Sequence, residues 1–269
     1  RVFPPPLLFP QYFLEGDRMK FRINGKEFKK NIESVLLKGK WNSGINNKNM
    51  SLASNIVISI GEDSYLYNGD NYTYVQQKIN LDAEYDNESG RIAIDSDILL
   101  KYLQDDETTI ALDDNILKVN VNGMTAKIPI LERHESNDAL LRTSQNYDVN
   151  RDMEKAIAIT PKTNLNTRIK VQTKELQEAM KACEAVGNSI FQLDFDGEIL
   201  KVSSTKDTEE VIVEIEPIEY IGKEATMDVS APFYKHLDSA STILSYNDDA
   251  PLSVISGGFA RLRAPRIQN

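Results

Sequence analysis

Apolar positions along this chain follow two periods, and the points where one gives way to the other divide it into elements. Phe28, Ile32, Val35 and Leu36 recur three to four residues apart, which places them on one face of a helix. Asn24 and Glu27 stand ahead of them in the N-cap and third positions of a capping-box-like start. The same spacing predicts a second helix on Ile98, Leu99, Tyr102 and Leu103 behind Ser96, and a third on Leu176, Ala179, Met180 and Cys183 behind Thr173. A fourth is predicted on Phe233, Tyr234 and Leu237 behind Ser230, with Pro232 in its first turn. Between them the chain alternates or is β-branched, so 56–60, 72–81, 190–195, 199–203 and 211–215 read as strands.

The order of these elements repeats. Ile94-Asp95 leads into a helix ending Lys101-Tyr102-Leu103, then Thr109-Ile110, an acidic turn at Asp113-Asp114-Asn115, the strand Leu117-Lys118-Val119, and Gly123. Met227-Asp228 leads likewise into Lys235-His236-Leu237, then Thr242-Ile243, a turn at Asn247-Asp248-Asp249, the strand Leu252-Ser253-Val254, and Gly258, at an offset of 133 to 135 residues. So steady an offset predicts an α+β protein made of two tandem copies of one domain, each a helix pair on a largely antiparallel sheet. The copies are expected at 19–130 and 168–269, joined by a polar, irregular connector over 131–167 that is too long for an ordinary loop.

Composition narrows the chemistry. Among 269 residues there is one cysteine, Cys183, and there are two histidines, His134 and His236, so neither an intrachain disulfide nor a Cys/His zinc site can be assembled. This usage suits a reducing compartment, expected to be the cytoplasm. No run approaches the roughly 18 apolar residues of a membrane span, and no membrane partner is expected. The net charge of -10 would repel a polyanion at long range, so a nucleic-acid role requires positive charge gathered on one surface. Arg1 to Arg18, rich in proline and aromatics, precedes Met19-Lys20-Phe21, which reads as a natural start. This segment is expected to be a leader or fused peptide.

No catalytic constellation is evident. Neither histidine has a nucleophile partner or a glycine-rich phosphate loop nearby, and no cofactor or metal is expected. The pairs Asp113-Asp114 and Asp248-Asp249 occupy equivalent turns of the repeat, where aspartate is favoured for bonding its own backbone. An enzyme is therefore not expected.

The tandem of helix, strands, helix and strands, a long connector, and the closing Pro251-Leu252 and Ala264-Pro265-Arg266-Ile267 together resemble the sliding clamps of the proliferating cell nuclear antigen family, of archaeal or viral type. The resemblance runs from about Met19 onward; the family's acidic segment before the third strand is not evident around Ser54 to Gly69. It implies a ring, a homotrimer of two-domain chains, with helices lining a hole around double-stranded DNA and sheets outside. It implies a DNA polymerase processivity factor whose partners are polymerase, clamp loader and other proteins carrying clamp-binding peptides; the alternative is a checkpoint-type or other non-replicative clamp-like scaffold. The DNA-facing residues would be Lys26, Lys29, Lys30, Lys38, Lys101, Lys170, Lys174, Lys181 and Lys235, making loose contacts to phosphates. The partner-peptide pocket would use Ile130, Leu131, Pro251, Leu262, Ala264, Pro265 and Ile267, with Leu262 standing where many relatives have an aromatic. Subunits would meet by pairing of edge strands, expected to be 116–121 and 199–204.

Overall fold

Asn24 closes the first strand and opens the first helix. Its backbone is extended, and its side-chain oxygen accepts the N–H of Glu27, satisfying one of the helix's orphan donors. In this computed structural model the described residues are 19–36, 55–61, 63–69, 73–85, 90–113, 115–131, 148–149, 158–159, 165–187, 190–230, 233–248 and 250–263. The strands are β1 (Met19–Asn24), β2 (Asn55–Ile60), β3 (Ser64–Gly69), β4 (Thr73–Ile79), β5 (Asp82–Tyr85), β6 (Gly90–Asp95), β7 (Glu107–Asp113), β8 (Ile116–Val121) and β9 (Met124–Pro129). Two short strands, β10 (Asp148–Val149) and β11 (Ala158–Ile159), separate these from a second series. That series is β12 (Thr167–Gln172), β13 (Ile190–Phe195), β14 (Leu200–Lys206), β15 (Glu209–Ile215), β16 (Glu219–Ile221), β17 (Ala225–Ser230), β18 (Ser241–Tyr246), β19 (Leu252–Ser256) and β20 (Phe259–Arg263). The α-helices are α1 (Gly25–Val35), α2 (Ser96–Tyr102) and α3 (Thr173–Ala185), and one 3₁₀ turn spans Phe233–His236.

The duplication extends to the topology. The sheet order β5-β1-β7-β8-β9 recurs as β16-β12-β18-β19-β20, and the order β4-β3-β2-β6 recurs as β15-β14-β13-β17. The fold is α+β, and its strand pairs are antiparallel. Two of these half-sheets fuse: β20 pairs with β4 in the register Phe259↔Gln77, Ala260↔Gln76, Leu262↔Tyr74, which makes one nine-stranded sheet across both halves. Phe28 and Ile32 of α1 and Leu176, Met180 and Cys183 of α3 are fully buried in the same large core, which lies between sheets and helices. Each such side chain contributes roughly 1.5–3 kcal/mol of apolar burial.

Several sequence expectations change. The fourth helix is a four-residue 3₁₀ turn, ended by an N–H of Leu237 bonded to the Tyr234 carbonyl and by Gln177, whose amide donates to the carbonyls of Tyr234 and Leu237. Asp95, not Ser96, caps α2, because its carboxylate reaches the N–H groups of Asp97 and Ile98 while Ser96 is buried. Thr173 bonds the Thr242 hydroxyl instead of capping α3. The expected edge strands 116–121 and 199–204 are interior, since each is followed by a tight hairpin that adds one strand outside it. Asn122 and Gly123, at φ 48° and 80°, supply the two left-handed positions of the first hairpin, and Asp207 at φ 54° turns the second. The strands added outside them, β9 and β15, end their sheets on those sides; β5, β16, β6 and β17 are the other ends of the three larger sheets among the described strands.

Candidate functional site

The helical elements form one continuous layer, and polar bonds between neighbours show the order. Lys29 of α1 bonds Asp105, three residues beyond α2, at 2.9 Å and holds that carboxyl below the usual carboxylate range; the N–H of Gly25 bonds the Asp106 carbonyl at 2.9 Å. On its other side α1 reaches the second half, where Lys30 lies 3.4 Å from Asp238, just past the 3₁₀ turn. That turn docks on α3: the Tyr234 hydroxyl and Lys235 both bond Glu184, and Gln177 holds two of its carbonyls. Burial first, and then the Glu184 carboxylate, push the Tyr234 phenol far above its ordinary value, while the phenol's hydrogen bond pulls Glu184 down. The order is therefore α2, α1, the 3₁₀ turn, α3.

Exposed along this layer are Lys26, Lys30, Lys101, Lys174, Lys181 and Lys235, beside Glu27, Glu33, Asp97, Glu175 and Glu178. With Lys29 and the carboxylates of Asp105, Asp106, Glu184 and Asp238 counted, the layer carries seven lysines and nine carboxylates, so positive and negative side chains are interspersed along it. Lys30, Lys174 and Lys235 have carboxylate partners, at 3.4, 3.9 and 3.2 Å, and Lys29 is half-buried on Asp105. Lys26, Lys101 and Lys181 make no ion pair among the described residues. Lys170 stands apart. It lies in β12, where Ile169 and Val171 point into the core, so alternation turns it to the opposite face, against Glu219 at 3.7 Å. Lys38 lies outside the described residues.

Leu131 and Leu262 meet in a small apolar cluster with Val57, Tyr67, Tyr74, Ala93, Leu165 and Ala250. It sits on the face of the nine-stranded sheet away from the main core, since its Tyr74 and Leu262 alternate with Val75 and Phe259, which belong to that core. The N–H of Leu131 bonds the Ala93 carbonyl at 3.0 Å, laying the start of the expected connector along β6. Pro251 is half-buried next to Ala250, whereas Ile130 packs against the main core. Ala264, Pro265 and Ile267 lie outside the described residues, as does Arg1 to Arg18. Sequence reasoning missed the tyrosines. Tyr65, Tyr67 and Tyr74 form a ladder with ring centroids 5.8 and 5.9 Å apart, and Tyr74 is the direct cross-strand neighbour of Leu262. Tyr74 thus sets an aromatic ring beside Leu262 from the first half of the chain.

The acidic turns are used structurally. Asp113 pairs with Lys118, and Asp248 accepts the N–H of Thr226 at 2.8 Å.

No protein-family model matches the chain, and a search of curated protein sequences finds no relative. Solved structures do match. A DNA polymerase sliding clamp from Bacillus subtilis superposes with a TM-score of 0.71 at 15% identity, covering 97% of this chain and 68% of that one. The DNA polymerase III beta subunit of Thermotoga maritima gives 0.66 at 14% identity, over 98% and 70%. This chain has the sliding-clamp fold. An A. fulgidus PCNA, solved with the C-terminal region of FEN-1 bound, matches with a TM-score of 0.67 at 17% identity, over 93% of this chain and 99% of its own. Clamp-fold chains of two lengths are therefore matched: this chain spans about two-thirds of the bacterial ones and nearly the whole archaeal one. No helix among the described residues is long and apolar enough to cross a membrane.

Proposed function

We propose that this protein is a sliding clamp: copies close into a ring around double-stranded DNA and tether DNA polymerase and other proteins to it without making or breaking a bond. The observation that carries this reading is the continuous helical layer, which runs across both halves of a duplicated molecule and bears seven lysines. A sequence-independent sleeve needs removal of repulsion at its lining plus a few mobile cations, and no base readout. Lys26, Lys101 and Lys181 are the freest of these cations, with Lys29, Lys30, Lys174 and Lys235 released from their surface ion pairs at little cost, since such pairs are worth about 0–1 kcal/mol. In this reading the domains are 19–130 and 168–269 with 131–167 as connector, three copies make the ring, and a clamp loader opens it on DNA in the cytoplasm.

The partner-peptide site would lie over the cluster of Leu131, Tyr67, Tyr74 and Leu262, with Pro251 at its margin. The FEN-1 segment bound to the archaeal clamp is the precedent for a peptide on this fold. Primer extension with a polymerase, on circular and on linearised template, tests the whole reading. Product length is expected to rise on the circle and fall back once the template has free ends; equal products on both would remove the sliding clamp from consideration.

A further inference from the structure

Three asparagines of this chain are followed directly by glycine: Asn24-Gly25, Asn68-Gly69 and Asn122-Gly123. Glycine has no Cβ to shield its backbone nitrogen, so that nitrogen can approach the side-chain amide carbon of the residue before it. Whether it does so depends on the freedom of both groups and on access of water. The fold withholds the first two pairs. Asn24 caps α1, its side-chain oxygen accepting the Glu27 N–H at 3.0 Å, while the Gly25 N–H donates to the Asp106 carbonyl at 2.9 Å. Asn68 is 0% exposed, and its side-chain oxygen accepts the Gly69 N–H at 2.8 Å. The Asp196-Gly197 pair, which could close the same ring, is likewise fixed: its carboxylate accepts the N–H groups of Glu198 and Ile199 at 3.1 and 2.8 Å.

Asn122-Gly123 differs on each count. Both residues are exposed in the two-residue turn between β8 and β9, and a Cβ added to Gly123 would meet nothing within 4 Å. Among the described residues the Asn122 side chain is bonded through its nitrogen, which donates to Asp106 at 2.7 Å and to Gln104 at 3.4 Å. Its carbon is left open to attack. Ring closure needs a local rotation about Asn122, and the position of the turn provides for it. Because β9 ends its sheet, the turn can open at its tip without disturbing the core.

We infer that Asn122 is a site of spontaneous deamidation, with solvent water as the co-reactant. The Gly123 backbone nitrogen gives its proton to a base in the solvent and bonds to the Asn122 Cγ. The Cγ–Nδ2 bond breaks, and the amide nitrogen takes up a proton and leaves as ammonia. Water then opens the five-membered imide: addition at Cγ gives aspartate, and addition at the backbone carbonyl carbon gives isoaspartate, in which the main chain runs through the former side chain. Either product is set against its old partner. The Asn122 amide donates to Asp106, whereas a carboxylate only accepts, so two like charges come face to face next to Asp105. The bond between the β8–β9 turn and the segment joining α2 to β7 is lost. Isoaspartate also lengthens the turn that sets the register of β8 against β9.

Peptide mapping by mass spectrometry tests this on the folded full-length chain held in mildly alkaline buffer. A gain of about 1 Da is expected at Asn122, with fragmentation distinguishing isoaspartate from aspartate. It should appear at least about ten times faster there than at Asn24 or Asn68. Asn122→Gln, whose longer side chain would have to close a larger ring, should lose the change at that position. A short peptide with the sequence around Asn122 serves as the clock. If the peptide has reacted while Asn122 in the folded chain has not, or if Asn24 or Asn68 reacts first, the site is overturned. The consequence is tested separately by Asn122→Asp, the product itself. It should lower the denaturation midpoint, and Asp106→Asn in the same chain should bring the midpoint back; a midpoint that Asn122→Asp leaves unchanged would remove the role given to Asp106.

Discussion

Gly25 sits where α1 passes closest to the loop after α2. A Cβ there would lie 1.9 Å from the Gln104 carbonyl oxygen and 2.8 Å from that of Asp106, both backbone atoms. Gly25→Ala is therefore expected to cost about 3 kcal/mol or more, measured as a drop in denaturant midpoint, because neither neighbour is a flexible side chain. His236 carries a different consequence. Burial first, then the nearby Arg261, depress its pKa below the ordinary 6.5, with Lys235 and Lys30 acting the same way and Glu33 opposing. The folded chain refuses a proton that the unfolded chain accepts. The stability contributed by neutral His236 is thus full above about 6.5 and declines as pH falls from there toward the depressed value. Comparing unfolding midpoints at about pH 7.5 and about pH 5.5, His236→Asn should show a smaller loss than wild type.

Helices and strands carry their own tests. Glu184→Ala strips Tyr234 and Lys235 of their shared acceptor and should loosen the 3₁₀ turn from α3, at a cost of about 1–3 kcal/mol in unfolding free energy. On the layer as a whole, Lys26→Glu with Lys181→Glu should weaken DNA binding evenly across sequences and reduce the steepness of its salt dependence by about one unit of slope per lost phosphate contact. An unchanged salt slope would take these lysines off the DNA. The sequence made α1 and α3 legible because their apolar stripes are long and their cores bury what the stripes predict. It misled at the 3₁₀ turn, whose three apolar residues fit a helix but whose length is cut by β18 beginning at Ser241. The repeat was legible only from Ile94 onward. The first copy has 18 residues between Leu36 and Asn55 where the second has three between Val186 and Ile190, so α1 and α3 fall at a different offset from everything after them. The tyrosine ladder was hidden for another reason: cross-strand neighbours such as Tyr74 and Leu262 are distant in sequence, and register is set by pairing that no single strand reveals.

At the scale of the molecule, the joint between β4 and β20 and the contacts between copies that the proposed ring requires, its seams, form under different conditions. The first is closed by two strands of one polypeptide, so its effective concentration is fixed by the chain and does not change on dilution. The second is bimolecular and follows mass action. Diluting the protein should lower a melting transition only as far as the seams open, after which the curve becomes independent of concentration; calorimetry over a hundred-fold range, on the order of 1 to 100 μM, would show that plateau. A ring built this way carries a kinetic asymmetry. Because β4 and β20 join the two halves within one chain, the proposed ring would open between chains, and its residence time on DNA would be set by how often a seam opens.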